Sequence, residues 1–130
     1  RCSPEQLNFK NKFDVILNME VVEHVSNINL FIQNCSKVIN KNGIMFIATI
    51  NKNLKSYIFA ILGAEYILRW LPIGTHNWDK FLTPQYLEII ANENNFLADE
   101  TVGIKFNLFS KKWFKSNDTS VNYISTFLKN

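Results

Sequence analysis

Two short apolar runs flanking one amphipathic stretch constrain this chain more than any other feature. Phe13-Asp14-Val15-Ile16-Leu17-Asn18 is rich in β-formers and follows a polar Lys/Asn stretch, so it reads as a buried strand. From Asn27 to Ile39 the residues Ile28, Phe31, Ile32, Cys35, Val38 and Ile39 recur at three- and four-residue steps, the pattern of one buried helical face. Asn27 or Ser26 would cap that helix. Lys41-Asn42-Gly43 reads as a turn, with Gly43 available for positive φ, and Ile44 to Ile50 is a second continuous apolar strand. The result is a βαβ unit. Strands apolar on both faces and joined by a helical crossover belong in a parallel sheet covered by helices on both sides, which makes the fold class α/β.

The rest of the chain extends this unit. Thr83 opens a further helix with Pro84 at its first position and Asn94-Asn95 at its end, with Tyr86, Leu87, Ile90 and Ala91 on the inner face. Thr101 to Phe106 and Val121 to Phe127 read as two late strands with turn sequence between them. Lys55 to Leu71 is almost wholly apolar and aromatic and predicts a helix. At 130 residues and 47% hydrophobic content, one domain spanning 1–130 is the expectation. The formal net charge of +3 is spread along the chain rather than gathered into a stripe, which argues against a nucleic-acid partner. Cys2 and Cys35 lack the spacing of a zinc or redox pair and nothing reads as a signal peptide, so a reducing compartment is expected. The chain opens on Arg1-Cys2-Ser3-Pro4 rather than Met, which leads to the expectation of a separate upstream portion.

Several words in this order resemble the ubiquinone-biosynthesis O-methyltransferase family. Met19-Glu20-Val21-Val22-Glu23-His24-Val25 is similar to that family's segment after its fourth strand, and Thr49-Ile50-Asn51-Lys52-Asn53 to the exit from its fifth. Gly63 to Arg69 and Leu71 to Phe81, with Gly74-Thr75-His76 inside, resemble its most distinctive run, and Val121-Asn122-Tyr123 matches a terminal word. Phe106-Asn107-Leu108 departs from it, lacking the proline that usually follows aromatic-Asn. The resemblance implies the C-terminal half of a Rossmann-like class I methyltransferase sheet, mainly parallel with a late antiparallel strand. It also implies S-adenosylmethionine as cofactor. The glycine-rich loop and the acidic residue with which that fold binds the nucleoside are absent from these 130 residues, so a complementary N-terminal chain is an expected partner.

The resemblance places Met19 against the cofactor, with Glu20 beside it. Glu20, Glu23 and His24 form E-x-x-E-H, whose three- and four-residue steps would bring Glu20 near both other side chains on a helical turn. Such a set could ligate Mg²⁺ that also binds catechol oxygens, or it could be a helix start with acids near the positive dipole end. His24 is alternatively the general base, since imidazole titrates near physiological pH. His76 either lines a quinol pocket or caps a turn. Residues 55–81 read as an aromatic helix and loop insertion. Lys55 to Leu71 would reach about 26 Å as a helix, short of a bilayer span, which suits a peripheral membrane lid admitting a polyprenylated catechol or quinol. The implied location is cytoplasmic at the inner membrane, or alternatively the mitochondrial matrix.

Overall fold

The computed structural model describes residues 12–53, 81–107 and 110–130. Strand β1 spans Phe13–Met19, a single 3₁₀ turn spans Val22–His24, helix α1 spans Ile28–Val38 and strand β2 spans Ile39–Ile50. Helix α2 spans Pro84–Glu93, followed by β3 (Phe96–Asn107), β4 (Lys112–Ser116) and β5 (Asn122–Lys129). The five strands form one sheet in the order β1-β2-β5-β3-β4. β1 and β2 pair in parallel, while β5 runs antiparallel to both β2 and β3 and so separates them. Hence β1, β2 and β3 point one way. The late antiparallel strand expected from the resemblance is β5, inserted inside the sheet rather than added at its edge, and the chain has the Rossmann-like α/β class read from its sequence.

The helices begin where the capping chemistry places them. Asn27 has extended backbone and its Oδ1 accepts from the Leu30 N–H at 3.0 Å, so Asn27 rather than Ser26 is the cap. Thr83 does the same for α2, its Oγ1 accepting from the Tyr86 N–H at 3.2 Å with Pro84 in the first turn. Replacing Thr83 by alanine is expected to cost about 1 kcal/mol of stability, read as a lowered denaturant midpoint with an unchanged slope. Asn94 Nδ2 closes α2 by donating to the Ile90 carbonyl at 2.8 Å and to Asn29 Oδ1 at 2.9 Å, tying the two helices together.

Both helices cover the same face of the sheet. Phe31, Ile32 and Cys35 of α1 and Leu87, Ile90 and Ala91 of α2 share one buried cluster with Met45, Ile47, Tyr123 and Phe127. The register explains this grouping, since Met45 pairs with Phe127, Ile47 with Ser125 and Thr49 with Tyr123, and directly opposed residues share a face. The expected helical cover on both faces is therefore not present among the described residues.

Four local expectations change. Tyr86 is exposed, because the inner stripe is set by Leu87, Ile90 and Ala91 and Tyr86 lies one residue off it. The Lys41-Asn42-Gly43 turn lies inside β2 as a bulge: Phe13 pairs with Ile39 but Val15 with Ile44. In that bulge Asn42 takes the positive φ of 64°, and Asn40 Nδ2 donates to Asp14 Oδ1 at 2.8 Å. Gly43 is needed for space, since a Cβ there would stand 2.6 Å from the Ile39 side chain and 2.9 Å from the Asn40 carbonyl oxygen. Finally, part of what reads as turn between the late strands is β4, a strand whose residues Lys112 to Lys115 are exposed on both faces and so carry no alternation.

Candidate functional site

Three of the sequence words converge at the end of the sheet where β1 and β2 finish. Met19 pairs with Ala48 and is half exposed at the end of β1. Glu20 follows with a φ of 54°, a left-handed conformation that few non-glycine residues adopt, and its N–H donates to the Ala48 carbonyl at 3.0 Å. That bend throws the chain off the sheet and into the 3₁₀ turn. Val22 and Val25 then anchor the turn in the core, which leaves Glu23 buried between them and His24 at the surface.

Glu23 is 5% exposed, and its Oε2 accepts a hydrogen bond from Thr49 Oγ1 at 2.9 Å. Glu20 is exposed as a residue, yet its carboxyl is drawn toward Glu23. Desolvation, then a hydrogen bond to the Glu23 side chain and the Glu23 charge, push the Glu20 carboxyl up to about 8. Two carboxyl groups that share a site cannot both ionise freely. The same Glu23 charge, after burial, raises the Tyr123 phenol well above its ordinary range. Tyr123 is buried and donates from its OH to the Leu82 carbonyl at 3.0 Å.

The exit from β2 is fastened to the entry of β5. The Asn51 N–H donates to the Val121 carbonyl at 2.7 Å, Asn51 Nδ2 to the Thr119 carbonyl at 2.9 Å and Asn53 Nδ2 to the Ser120 carbonyl at 2.6 Å. The asparagines thus hold the loop before Asn122 against the end of β2. Beneath the rim, Asn18 Nδ2 is buried without a hydrogen-bond partner of good geometry. The Cys35 thiol beside it is pushed up to about 11 by burial, against the weaker opposing effect of Asn18.

These positions revise the site expected from sequence. Met19 and Glu20 stand at the carboxyl edge of the parallel pair, where ligands bind in open α/β sheets. The Glu20, Glu23 and His24 ligand set is not assembled: among the described residues no group of three or more His, Cys, Asp or Glu side chains is arranged to hold a metal ion. The reason is the 3₁₀ turn, too short and tight to keep the helical face on which E-x-x-E-H would align. Glu23 is committed to Thr49, and His24 is exposed. His76 and the aromatic segment Lys55 to Leu71 lie outside the described residues. Among the described residues no helix is long and apolar enough to cross a membrane.

Thr49 and Tyr123 were not singled out as site residues in the sequence, although each lies in a word that carried the resemblance. The only available signal was their membership of those words. Thr49 stands 26 residues from Glu23, and no local spacing rule connects them.

Comparison with known proteins agrees with this geometry. A family model described as a methyltransferase domain matches residues 2–101. A ubiquinone biosynthesis O-methyltransferase from Pelagibacter ubique is 60% identical over 129 residues, covering 99% of this chain and 54% of that protein. The chain spans about half the length of the curated relatives it matches. Among solved structures, a SAM-dependent methyltransferase from Thermotoga maritima superposes with a TM-score of 0.70 at 12% identity, over 99% of this chain and 62% of that one. The magnesium protoporphyrin IX methyltransferase of Synechocystis, solved with bound SAH, gives 0.63 at 13% identity over 99% and 49%. At such identities these two show the fold alone. With its sheet order, its rim at Met19 and Glu20, and sequence kinship to ubiquinone biosynthesis O-methyltransferases, the chain belongs to the methyltransferase-domain family.

Proposed function

We propose that this chain is part of an enzyme that transfers a methyl group from S-adenosylmethionine to a hydroxyl of a demethylubiquinol or polyprenyl catechol in ubiquinone biosynthesis. The observation that carries the reading is the pairing of Glu20 with Glu23 at the carboxyl edge of β1 and β2. The residues present fit part of such a cofactor site: the thioether of Met19 and the two carboxyl groups suit a cationic sulfonium. Bound there, S-adenosylmethionine supplies an electrophilic methyl group.

The chain's own contribution is to orient the acceptor and take its proton, because methyl transfer to a phenol oxygen requires an in-line approach and a phenolate. Glu20 is suited to that second task. A carboxylate whose proton affinity is raised toward neutrality is a stronger base than an ordinary one, and Glu20 meets solvent where Glu23 does not. Glu23 acts through Glu20, held in place by Thr49. The chain spans about half the length of its curated relatives, and this reading assigns the remaining nucleoside contacts to the part of such a protein that the match leaves out. The apolar sequence from Lys55 to Leu71 supports peripheral contact with the membrane that houses a polyprenylated acceptor.

The test is to incubate the complete polypeptide containing this chain with S-adenosylmethionine and a catechol quinol, with product identified by mass spectrometry. A methylated ether is the expected product. A folded protein that binds S-adenosylmethionine but methylates no quinol or catechol would overturn the substrate assignment.

A further inference from the structure

The far edge of the sheet differs from the rim in both charge and exposure. β3 runs in the direction of β1 and β2, and its Gly103 stands level with Tyr123 and Thr49, yet it continues to Asn107 while β2 ends at Ile50. At about 3.3 Å per residue, its hairpin with β4 projects about 10 Å past the end of β2, at the same end of the sheet as Met19 and Glu20. The paired residues Gly103–Asn107 and Lys112–Ser116 hold Lys105, Lys112 and Lys115 and no acid. Lys115 is held by Glu100 at 2.7 Å and Lys105 by Asp118 at 2.8 Å, whereas Lys111 and Lys112 are exposed and make no ion pair among the described residues. Beside them Trp113 is 64% exposed and Phe114 48%. Trp113 lies across from Phe106 with ring centroids 5.0 Å apart. Tyr123, opposite Gly103, packs with α1 and α2, so Phe114 projects from that face of the hairpin and the Phe106–Trp113 pair from the other. β4 is the last strand of the sheet among the described residues, and the backbone groups along its outer edge pair with no strand there. Lysine alone would blunt such an edge. Two exposed aromatic side chains set between lysines do the opposite.

We propose that the outer edge of β4 receives an extended, acidic segment of a partner protein, which adds to the sheet as a further antiparallel strand. Its apolar side chains would lie opposite Trp113 and Phe114 and its carboxylates opposite Lys112 and beside Lys111, while Lys115 already has Glu100. Side chains of an added strand alternate between the two faces, and β4 offers an aromatic neighbour on each. Charge complementarity selects this occupant over a second copy of the chain. Two copies of β4 would line Lys111, Lys112 and Lys115 of both edges along one seam with no acid in either strand. The open edge selects it over a lipid surface. Sinking β4 into a bilayer would strip water from backbone groups that have no partner, whereas an added strand pairs them. A partner held there stands beside the end of the sheet that carries the candidate site, and the surface is independent of the proposed substrate.

The test is binding. The complete polypeptide containing this chain is added to a fluorescein-labelled peptide whose centre reads Thr-Val-Ile-Glu-Glu, and binding is followed by anisotropy. Saturable binding is expected, weakened by salt and accompanied by slowed amide exchange in 112–116. A peptide with Lys-Lys in place of Glu-Glu should not bind. Methylating alternate backbone nitrogens of the acidic peptide should abolish its binding, because strand addition works through main-chain hydrogen bonds. Lys111→Glu combined with Lys112→Glu should weaken the acidic peptide about tenfold and admit the lysine peptide. Trp113→Ala should weaken the acidic peptide about tenfold as well. All three side chains are exposed, so circular dichroism should be unchanged in these variants. No saturable binding of the acidic peptide, or equal binding of its methylated form, would overturn the proposal. So would a wild type that self-associates through 112–116, or one that ignores the peptide but binds phosphatidylglycerol vesicles and loses them in the double lysine variant.

Discussion

Glu20→Gln is expected to lower methyl transfer by the complete enzyme at least a hundredfold while leaving it folded, the range in which general-base catalysis operates. A base must be deprotonated to act, so the wild-type rate should rise with pH through about 8 and then level off, following the Glu20 carboxyl. In the glutamine variant that rise should vanish, leaving a flat, low profile. His24→Gln should retain the rise, because His24 is exposed and apart from the carboxyl pair. Stability carries the same signature with a definite sign. The unfolded chain releases this proton near 4.5 and the folded one near 8, so folding is favoured below that window and loses stability as pH climbs through it. Denaturation midpoints measured across pH 4.5 to 8 should slope downward in the wild type and less so in Glu20→Gln. A rate profile in Glu20→Gln identical to wild type would remove Glu20 from the chemistry.

Gly103→Ala is expected to be among the most destabilising single substitutions in the chain, costing about 3 kcal/mol as read from chemical denaturation. A Cβ on Gly103 would stand 1.9 Å from the Asp118 carbonyl oxygen and 2.5 Å from its carbon, both backbone atoms. The loop cannot easily retreat. The Ser116 hydroxyl accepts from the Asp118 N–H, Asp118 Oδ1 from the Ser120 N–H, and Asn51 and Asn53 hold the carbonyls of Thr119 and Ser120. Lys105 pairs with Asp118 at 2.8 Å, a half-exposed contact that adds little by itself. Because the same loop is fastened to the exit of β2, the substitution should also disturb the rim. An alanine variant with an unchanged denaturation midpoint would show that this loop is free to move.

Much of the fold was legible because its signals are local. The apolar runs of β1 and β2, the i, i+3, i+4 stripe of α1, and the caps Asn27 and Thr83 depend on neighbours within a few residues. β4 was not legible, since Lys-Trp-Phe-Lys gives neither a period of two nor a continuous apolar run, and pairing with β3 alone makes it a strand. The first half of β3 escaped for a similar reason. Leu97 to Glu100 is exposed throughout and pairs two apolar residues with two adjacent acids, so it shows no alternation, and its ladder with β5 carries a bulge between Ala98 and Glu100. In the candidate site, the position of Met19 and Glu20 at a strand end was legible from the apolar run before them. The metal set was not, because helical spacing was assumed where the chain makes a 3₁₀ turn.

What these 130 residues determine on their own is the order of elements, the caps that start the helices, the kinship of the chain and the strand end that forms the rim at Met19. Each is written in spacing or in words a few residues long. Tertiary structure alone decided that β5 enters between β2 and β3, that Thr49 secures Glu23, and that burial raises the Glu20 carboxyl. The first two depend on pairings between segments distant in the chain and the third on how much water the packing at the rim excludes, and no periodicity in the chain encodes either.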